Sequence, residues 1–229
     1  MAASEIDSSA MRHARYLADT IGPRGSTTPQ EAQAAQYAYQ TMEDGGLHPV
    51  KEHFISPTSA WRPYALASAL ALVAEVLFLF GGRIGAVLAS GLMLFIGGSV
   101  FFEMTFQDNV LRWLLPKAQS QNVWARIPAS RQPQQYVVIS GHLDSHRTPK
   151  VFSSRRWLRM FRWLAPLCLV ALAINTLVFI AGAMSPWAGW RSLAFLLGIL
   201  VWDMSVLTFE ADYTPYSPGA VDNLSLIHI

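Results

Sequence analysis

The sequence contains little cysteine and little charge. Cys168 is the only cysteine among 229 residues, so neither a disulfide framework nor a cysteine zinc site is available. Charged residues make up 14% of the chain, and the formal net charge is +2. This balance, without a long basic run interleaved with aromatic residues, argues against a nucleic acid partner. The N-terminal segment also lacks the basic start and apolar run of a signal peptide, so we expect it to begin in the cytosol.

Apolar residues are abundant and are concentrated in two blocks. They make up 52% of the chain, more than a soluble domain usually contains. Each block holds two runs long enough to cross a bilayer as helices, at residues 64–82, 84–102, 163–184 and 187–209. We therefore predict one transmembrane hairpin at residues 63–107, then a basic flank with a second hairpin at residues 151–209, and a lipid bilayer as partner. The alternative is a set of buried helices in a large soluble protein.

Basic residues lie beside both apolar blocks, at Arg112, Lys117, Arg126, Arg131, Arg147, Lys150, Arg155, Arg156, Arg159 and Arg162. Such residues mark the cytoplasmic side of membrane proteins. We therefore predict a multi-pass integral membrane protein whose hydrophilic parts form one domain on the cytoplasmic side. The run at residues 155–162 also fits a site for anionic lipid.

The hydrophilic segments carry signals for both helices and strands. Thr28 as N-cap, Pro29 in the first turn and Glu31 closing a capping box predict a helix that ends before Gly45, and an earlier helix is predicted at residues 8–20. Residues 50–55, 122–128 and 134–145 are typical of strands. The last of these delivers polar residues at its end, where open α/β sheets place their active sites.

Those polar residues include His142 and Asp144, and a second polar group, Asp222 and Asn223, lies far downstream. An imidazole can bind zinc through one ring nitrogen while a nearby carboxylate holds the other. The His-x-Asp spacing by itself is also common in surface turns.

The segments IGPRGSTTPQEAQAAQYAYQTMEDGGL, NVWARIP, YVVISGHLDS and SPGAVDN together resemble peptidase family M28, the aminopeptidase Y and bacterial leucyl aminopeptidase group. The resemblance implies an α/β fold, a zinc-exopeptidase-like mixed sheet with flanking helices, interrupted here by the two hairpins. Residues 1–62 and 108–150 would belong to the peptidase domain, and residues 210–223 would form its Pro-Gly-Ala-x-Asp-Asn metal loop.

The resemblance also implies roles for individual residues. His142 would be a terminal ligand of one of two zinc ions, Asp144 would be the catalytic-site carboxylate that orients it, and Asp222 would bridge both ions. Asn223 would support the bridging loop, and His146 is a candidate for a secondary contact. The implied activity is aminopeptidase cleavage of a peptide substrate by a metal-activated water.

The family's Glu-Glu pair and later ligands would follow Asn223, so we expect this fragment of the full-length zinc peptidase to be inactive. Residues 224–229, LSLIHI, match the in-frame translation of a widely used transposase adapter and are predicted to be an artefact; the alternative is a real short tail. One alternative is a catalytically dead peptidase-like membrane scaffold. Another is a transporter or channel fragment, although the spans hold few polar residues beyond Glu75, Asn175 and Asp203.

Overall fold

The structure is a computed structural model that describes residues 3–132 and 134–219. Its elements in chain order are α1 (Ala3–Arg15), a π-helical turn (Tyr16–Ile21), α2 (Pro29–Asp44), β1 (Val50–Pro57), α3 (Arg62–Phe80), α4 (Gly82–Met104), α5 (Val110–Leu114), β2 (Lys117–Trp124), a 3-10 turn (Lys150–Phe152), α6 (Arg155–Met184) and α7 (Gly189–Tyr213). The chain divides into two compact units. Unit 1 consists of Met1–Thr58, Pro116–Thr148 and Pro215–Ile229, and unit 2 of Ser59–Leu115 and Pro149–Thr214.

The predicted α/β fold with a zinc-exopeptidase-like mixed sheet is wrong. The chain is 64% helical, and its sheet has only two strands among the described residues. β1 and β2 pair antiparallel, from Val50 opposite Trp124 to Pro57 opposite Lys117. The strand at residues 50–55 is thus confirmed, whereas the one predicted at 122–128 lies earlier in the chain.

The strand predicted at residues 134–145 does not form. Tyr136, Val137, Val138 and Ile139 are 78%, 84%, 87% and 94% exposed. A buried strand needs neighbours that pair with its backbone groups and elements that cover its faces. In the described residues only β1 and β2 form a ladder, so this apolar run has neither.

Helix α2 begins as its sequence predicts, with one difference in its cap. Thr28 Oγ1 accepts a hydrogen bond from the Glu31 N–H at 3.3 Å. The Glu31 carboxylate, however, accepts from the Thr27 N–H at 2.6 Å, because the Thr28 N–H already donates to Gly25 O at 3.1 Å. The predicted helix at residues 8–20 corresponds to α1 and the π-helical turn that continues it.

Unit 2 is built from the two predicted hairpins. Helices α3, α4, α6 and α7 contain 19 to 30 residues and are each long and apolar enough to cross a membrane. The first turn lies at Gly81 and Gly82, and the second separates Met184 from Gly189, where the apolar run at residues 163–184 ends and the one at 187–209 begins. These four helices are compatible with a multi-pass membrane protein.

Packing inside unit 2 depends on small residues. Helix α3 packs against α4 and α7, and α6 packs against both of those helices. Alanines fill much of the core, and the rings of Phe78 and Phe179 stack there with centroids 4.4 Å apart. Many large apolar side chains, such as Phe80 and Ile84, point outward instead. An apolar exterior of this kind is suited to lipid.

Candidate metal site

His142 and Asp144 lie together on a loop of unit 1. His142 Nδ1 is 2.9 Å from the Asp144 carbonyl oxygen and 3.3 Å from Asp144 Oδ1. Both side chains are partly open to solvent. When Nδ1 carries the ring proton and donates it to Asp144, Nε2 is the nitrogen left to bind a metal. The donor set of the pair therefore fits a zinc ligand with its orienting carboxylate.

The loop is held by Arg24, whose side chain is only 1% exposed. Arg24 Nε donates a hydrogen bond to Leu143 O at 2.6 Å, and one terminal nitrogen donates to Leu17 O at 3.0 Å and to Pro218 O at 2.7 Å. Two distant segments, at Leu143 and Pro218, thus meet on one guanidinium that also bonds to the nearby Leu17. Backbone bonds reinforce the contact, since the Ser145 N–H donates to Arg24 O at 2.8 Å and Ser145 Oγ accepts from the Arg24 N–H at 3.0 Å.

Two glycines allow the segments to approach this closely. Gly219 has φ +71°, and a Cβ built there would lie 2.8 Å from a terminal nitrogen of Arg24 and 3.1 Å from Ser145 Cβ. A Cβ on Gly25 would overlap the ring of Tyr216. The Gly-Pro-Arg-Gly turn, the histidine loop and residues 215–219 therefore form one packed cluster.

The two helical insertions leave and rejoin unit 1 at adjacent residues. The Thr148 N–H donates to Pro215 O at 2.9 Å, and the Ser217 N–H donates to His146 O at 2.8 Å. For the first insertion, the Thr58 N–H donates to Pro116 O at 3.2 Å. A hairpin inserted at such a point returns the chain to where it left, so residues before and after the insertion remain neighbours.

A second carboxyl group lies close enough to sense the charge of Asp144. Burial raises the pKa of Glu31, and the negative charge of Asp144 raises it further, while hydrogen bonds from Ser120 Oγ at 2.5 Å and the Thr27 N–H oppose both. Burial lowers the pKa of the Arg24 guanidinium, and Asp144 acts in the opposite direction. Glu31 was predicted only as a helix cap, and the central position of Arg24 was not predicted. The sequence feature that could have indicated Arg24 was its position in the turn Gly22-Pro23-Arg24-Gly25.

The other residues predicted for the site are Asp222, Asn223 and His146. Asp222 and Asn223 lie outside the described residues, as does the predicted artefact at 224–229. Within residues 3–132 and 134–219, no three His, Cys, Asp or Glu side chains are grouped to hold a metal ion. His146 directs Nδ1 to Arg147 O at 2.5 Å, and the secondary metal contact expected of it stays a prediction.

No protein-family model, curated protein or solved structure matches this chain.

Proposed function

We propose that the chain contributes His142, Asp144 and Asp222 to the dinuclear zinc site of a membrane-anchored metallopeptidase. The observation that supports this most directly is the bonding of Arg24 to Leu143 O and Pro218 O. The histidine motif and the start of the Pro-Gly-Ala-x-Asp-Asn motif are held by the same buried side chain, although two long helices separate them in the chain. A chance His-x-Asp in a surface turn would not require this arrangement.

Each residue has a separate task in the proposed site. His142 would bind a metal through Nε2, and Asp144 would accept a hydrogen bond from Nδ1–H, which fixes the ring and raises its basicity as a ligand. Asp222, which follows Gly219 by three positions in the sequence, would be a carboxylate ligand shared by the metals. Zinc would polarise the peptide carbonyl and lower the pKa of water at the site. The proposed substrates are peptides, cleaved at the amino-terminal residue.

The proposal includes a membrane orientation. Four exposed arginines lie in the first turns of α6, at Arg155, Arg156, Arg159 and Arg162. Their position next to an apolar helix supports a cytoplasmic location for this end under the positive-inside rule. In the proposed topology, both hairpins cross the membrane and unit 1 functions in the cytosol.

Two measurements on the full-length protein, purified from membranes, test the function. They are zinc content and the hydrolysis of leucine-anilide. We expect about two zinc ions per chain, and loss of activity in both His142→Ala and Asp222→Ala. The Asp144→Asn variant should bind zinc roughly 10- to 100-fold more weakly without unfolding. His48→Ala removes an exposed histidine outside the cluster and should behave as wild type. A folded, metal-free and inactive protein would instead support the catalytically dead scaffold.

Orientation has its own test. Ser130 lies in an exposed segment of unit 1, so Ser130→Cys in a Cys168→Ala background gives a single reactive thiol. A membrane-impermeant maleimide should label this thiol only after the cell membrane is permeabilised. Labelling of intact cells would place unit 1 outside and contradict the proposed topology.

A further inference from the structure

Two buried polar side chains face each other inside unit 2. Glu75 of α3 is 7% exposed and Asn175 of α6 is 1% exposed. Asn175 Nδ2 donates a hydrogen bond to Glu75 Oε2 at 2.8 Å. This bond connects two helices that belong to different hairpins.

Each of these side chains retains an oxygen without a donor. Glu75 Oε1 and Asn175 Oδ1 have no hydrogen-bond partner in the part of the chain that the structure describes. An amide oxygen and an ionised carboxylate oxygen can only accept. Burying two such acceptors without a donor is strongly unfavourable, and more so in a low-dielectric interior.

Helix α7 closes the remaining side of the pair. A Cβ on Gly198 would lie 3.0 Å from Glu75 Cδ and 3.2 Å from each carboxyl oxygen. The α7 backbone therefore packs directly against the carboxyl group, which a side chain at this position would crowd. This close packing separates the carboxyl from water.

No positive charge compensates Glu75 among the described residues. Besides Glu75, the charged residues of α3, α4, α6 and α7 are Arg62, Arg83, Glu103, Arg155, Arg156, Arg159, Arg162, Arg191, Asp203, Glu210 and Asp212. None of them forms an ion pair with Glu75 among the described residues; Arg62 pairs with Asp212, and Glu103 pairs with Arg112. An ionised Glu75 would thus be a buried charge with a single amide donor.

We propose that Glu75 is a proton-binding site inside the helical bundle and is held as a neutral carboxylic acid by Asn175. The proton resides on Oε1 and is donated to Asn175 Oδ1, while Asn175 Nδ2 donates to Oε2. One proton satisfies both oxygens that otherwise have no donor, and the two groups form a cyclic acid–amide pair linking α3 to α6. Ionisation releases this proton to water and removes one of the two hydrogen bonds.

Infrared difference spectroscopy of the full chain in lipid vesicles at neutral pH tests the protonation state. We expect wild type to show the carbonyl stretching band of a protonated carboxylic acid and Glu75→Gln to lack it. Glu43→Gln is the control, because Glu43 is an exposed carboxyl group of α2, outside the membrane-spanning helices, and this variant should keep the band. Both variants are made in an Asp203→Asn background, so that the exposed carboxyl group of α7 contributes no band. Absence of the band in wild type, or its persistence in Glu75→Gln, would overturn the proposal.

Thermal unfolding gives a second readout that does not depend on detecting one band. In Glu75→Gln the amide N–H donates to Asn175 Oδ1 in place of the acid O–H, so the unfolding midpoint should match that of wild type. Glu75→Ala cannot form either hydrogen bond and should unfold at lower temperature. If Glu75→Gln and Glu75→Ala lowered the unfolding midpoint equally, the negative charge of Glu75 would be required. If all three proteins had the same midpoint, the pair would not stabilise the bundle. Either result contradicts the inference.

Discussion

Replacing Arg24 by alanine tests the central contact of unit 1. The guanidinium donates to Leu143 O, Pro218 O and Leu17 O at 2.6, 2.7 and 3.0 Å. Hydrogen bonds from a charged group contribute about 1.5–3 kcal/mol each, but bonds that share one donor group are not additive. Removing the arginine also leaves buried carbonyl oxygens without a donor. We therefore expect Arg24→Ala to destabilise the cluster by about 3–5 kcal/mol, a large fraction of the roughly 5–15 kcal/mol that stabilises a typical domain.

Hydrogen exchange followed by mass spectrometry measures this loss locally. The N–H groups of Ser145 and Ser217 both donate within the cluster, at 2.8 Å each. Their protection should fall by roughly two to three and a half powers of ten in Arg24→Ala. Arg24→Lys should give an intermediate loss, because an ammonium group keeps the charge but not the planar fork.

The control variant is Arg131→Ala, which removes an exposed arginine and should leave the protection of both amides unchanged. If Arg24→Ala also left the exchange at Ser145 and Ser217 unchanged, the guanidinium would not be what holds the two loops together. The main support for the proposed metal site would then be lost.

Two further outcomes are expected in unit 1. Gly219→Ala should lower the free energy of unfolding more than Gly46→Ala, because both glycines have positive φ, at +71° and +79°, but only a Cβ at Gly219 would contact Arg24. The common cost is about 1 kcal/mol, and equal losses in urea unfolding would refute the close approach. Because burial raises the folded-state pKa of Glu31, the folded state holds that proton more tightly than the unfolded chain. The stabilisation from this group is therefore present at low pH and is lost as pH rises through the raised folded-state value. Urea titrations between about pH 4 and pH 7 should show this loss in wild type but not in Glu31→Gln.

The parts of the fold that were predictable depend on neighbours in sequence. The Thr28 cap and the apolar runs of α3 and α4 are specified within one helix, and each formed as expected. The contact between His142 and Asp144 joins residues only two positions apart, so it too depends on a local segment.

The parts that failed or were missed depend on distant partners. An apolar run at residues 136–139 becomes a strand only beside another strand, and no local pattern reports whether that partner is present. Arg24 bonds with Leu143 and Pro218, which lie 119 and 194 positions away. Nothing in the residues adjacent to Arg24 specifies either acceptor, so its role became visible only in three dimensions.

The separation of Arg24 from Pro218 also determines when the cluster can assemble during synthesis. A ribosome adding about 5–20 residues per second needs about 10–40 s to make the 194 positions between them. During that interval, two helical hairpins emerge while the guanidinium still lacks an acceptor that it has in the finished protein. Closure of the Arg24 cluster is therefore a late step of biogenesis. A nascent chain stalled between the hairpins would expose an unfinished unit 1 to chaperones and proteases.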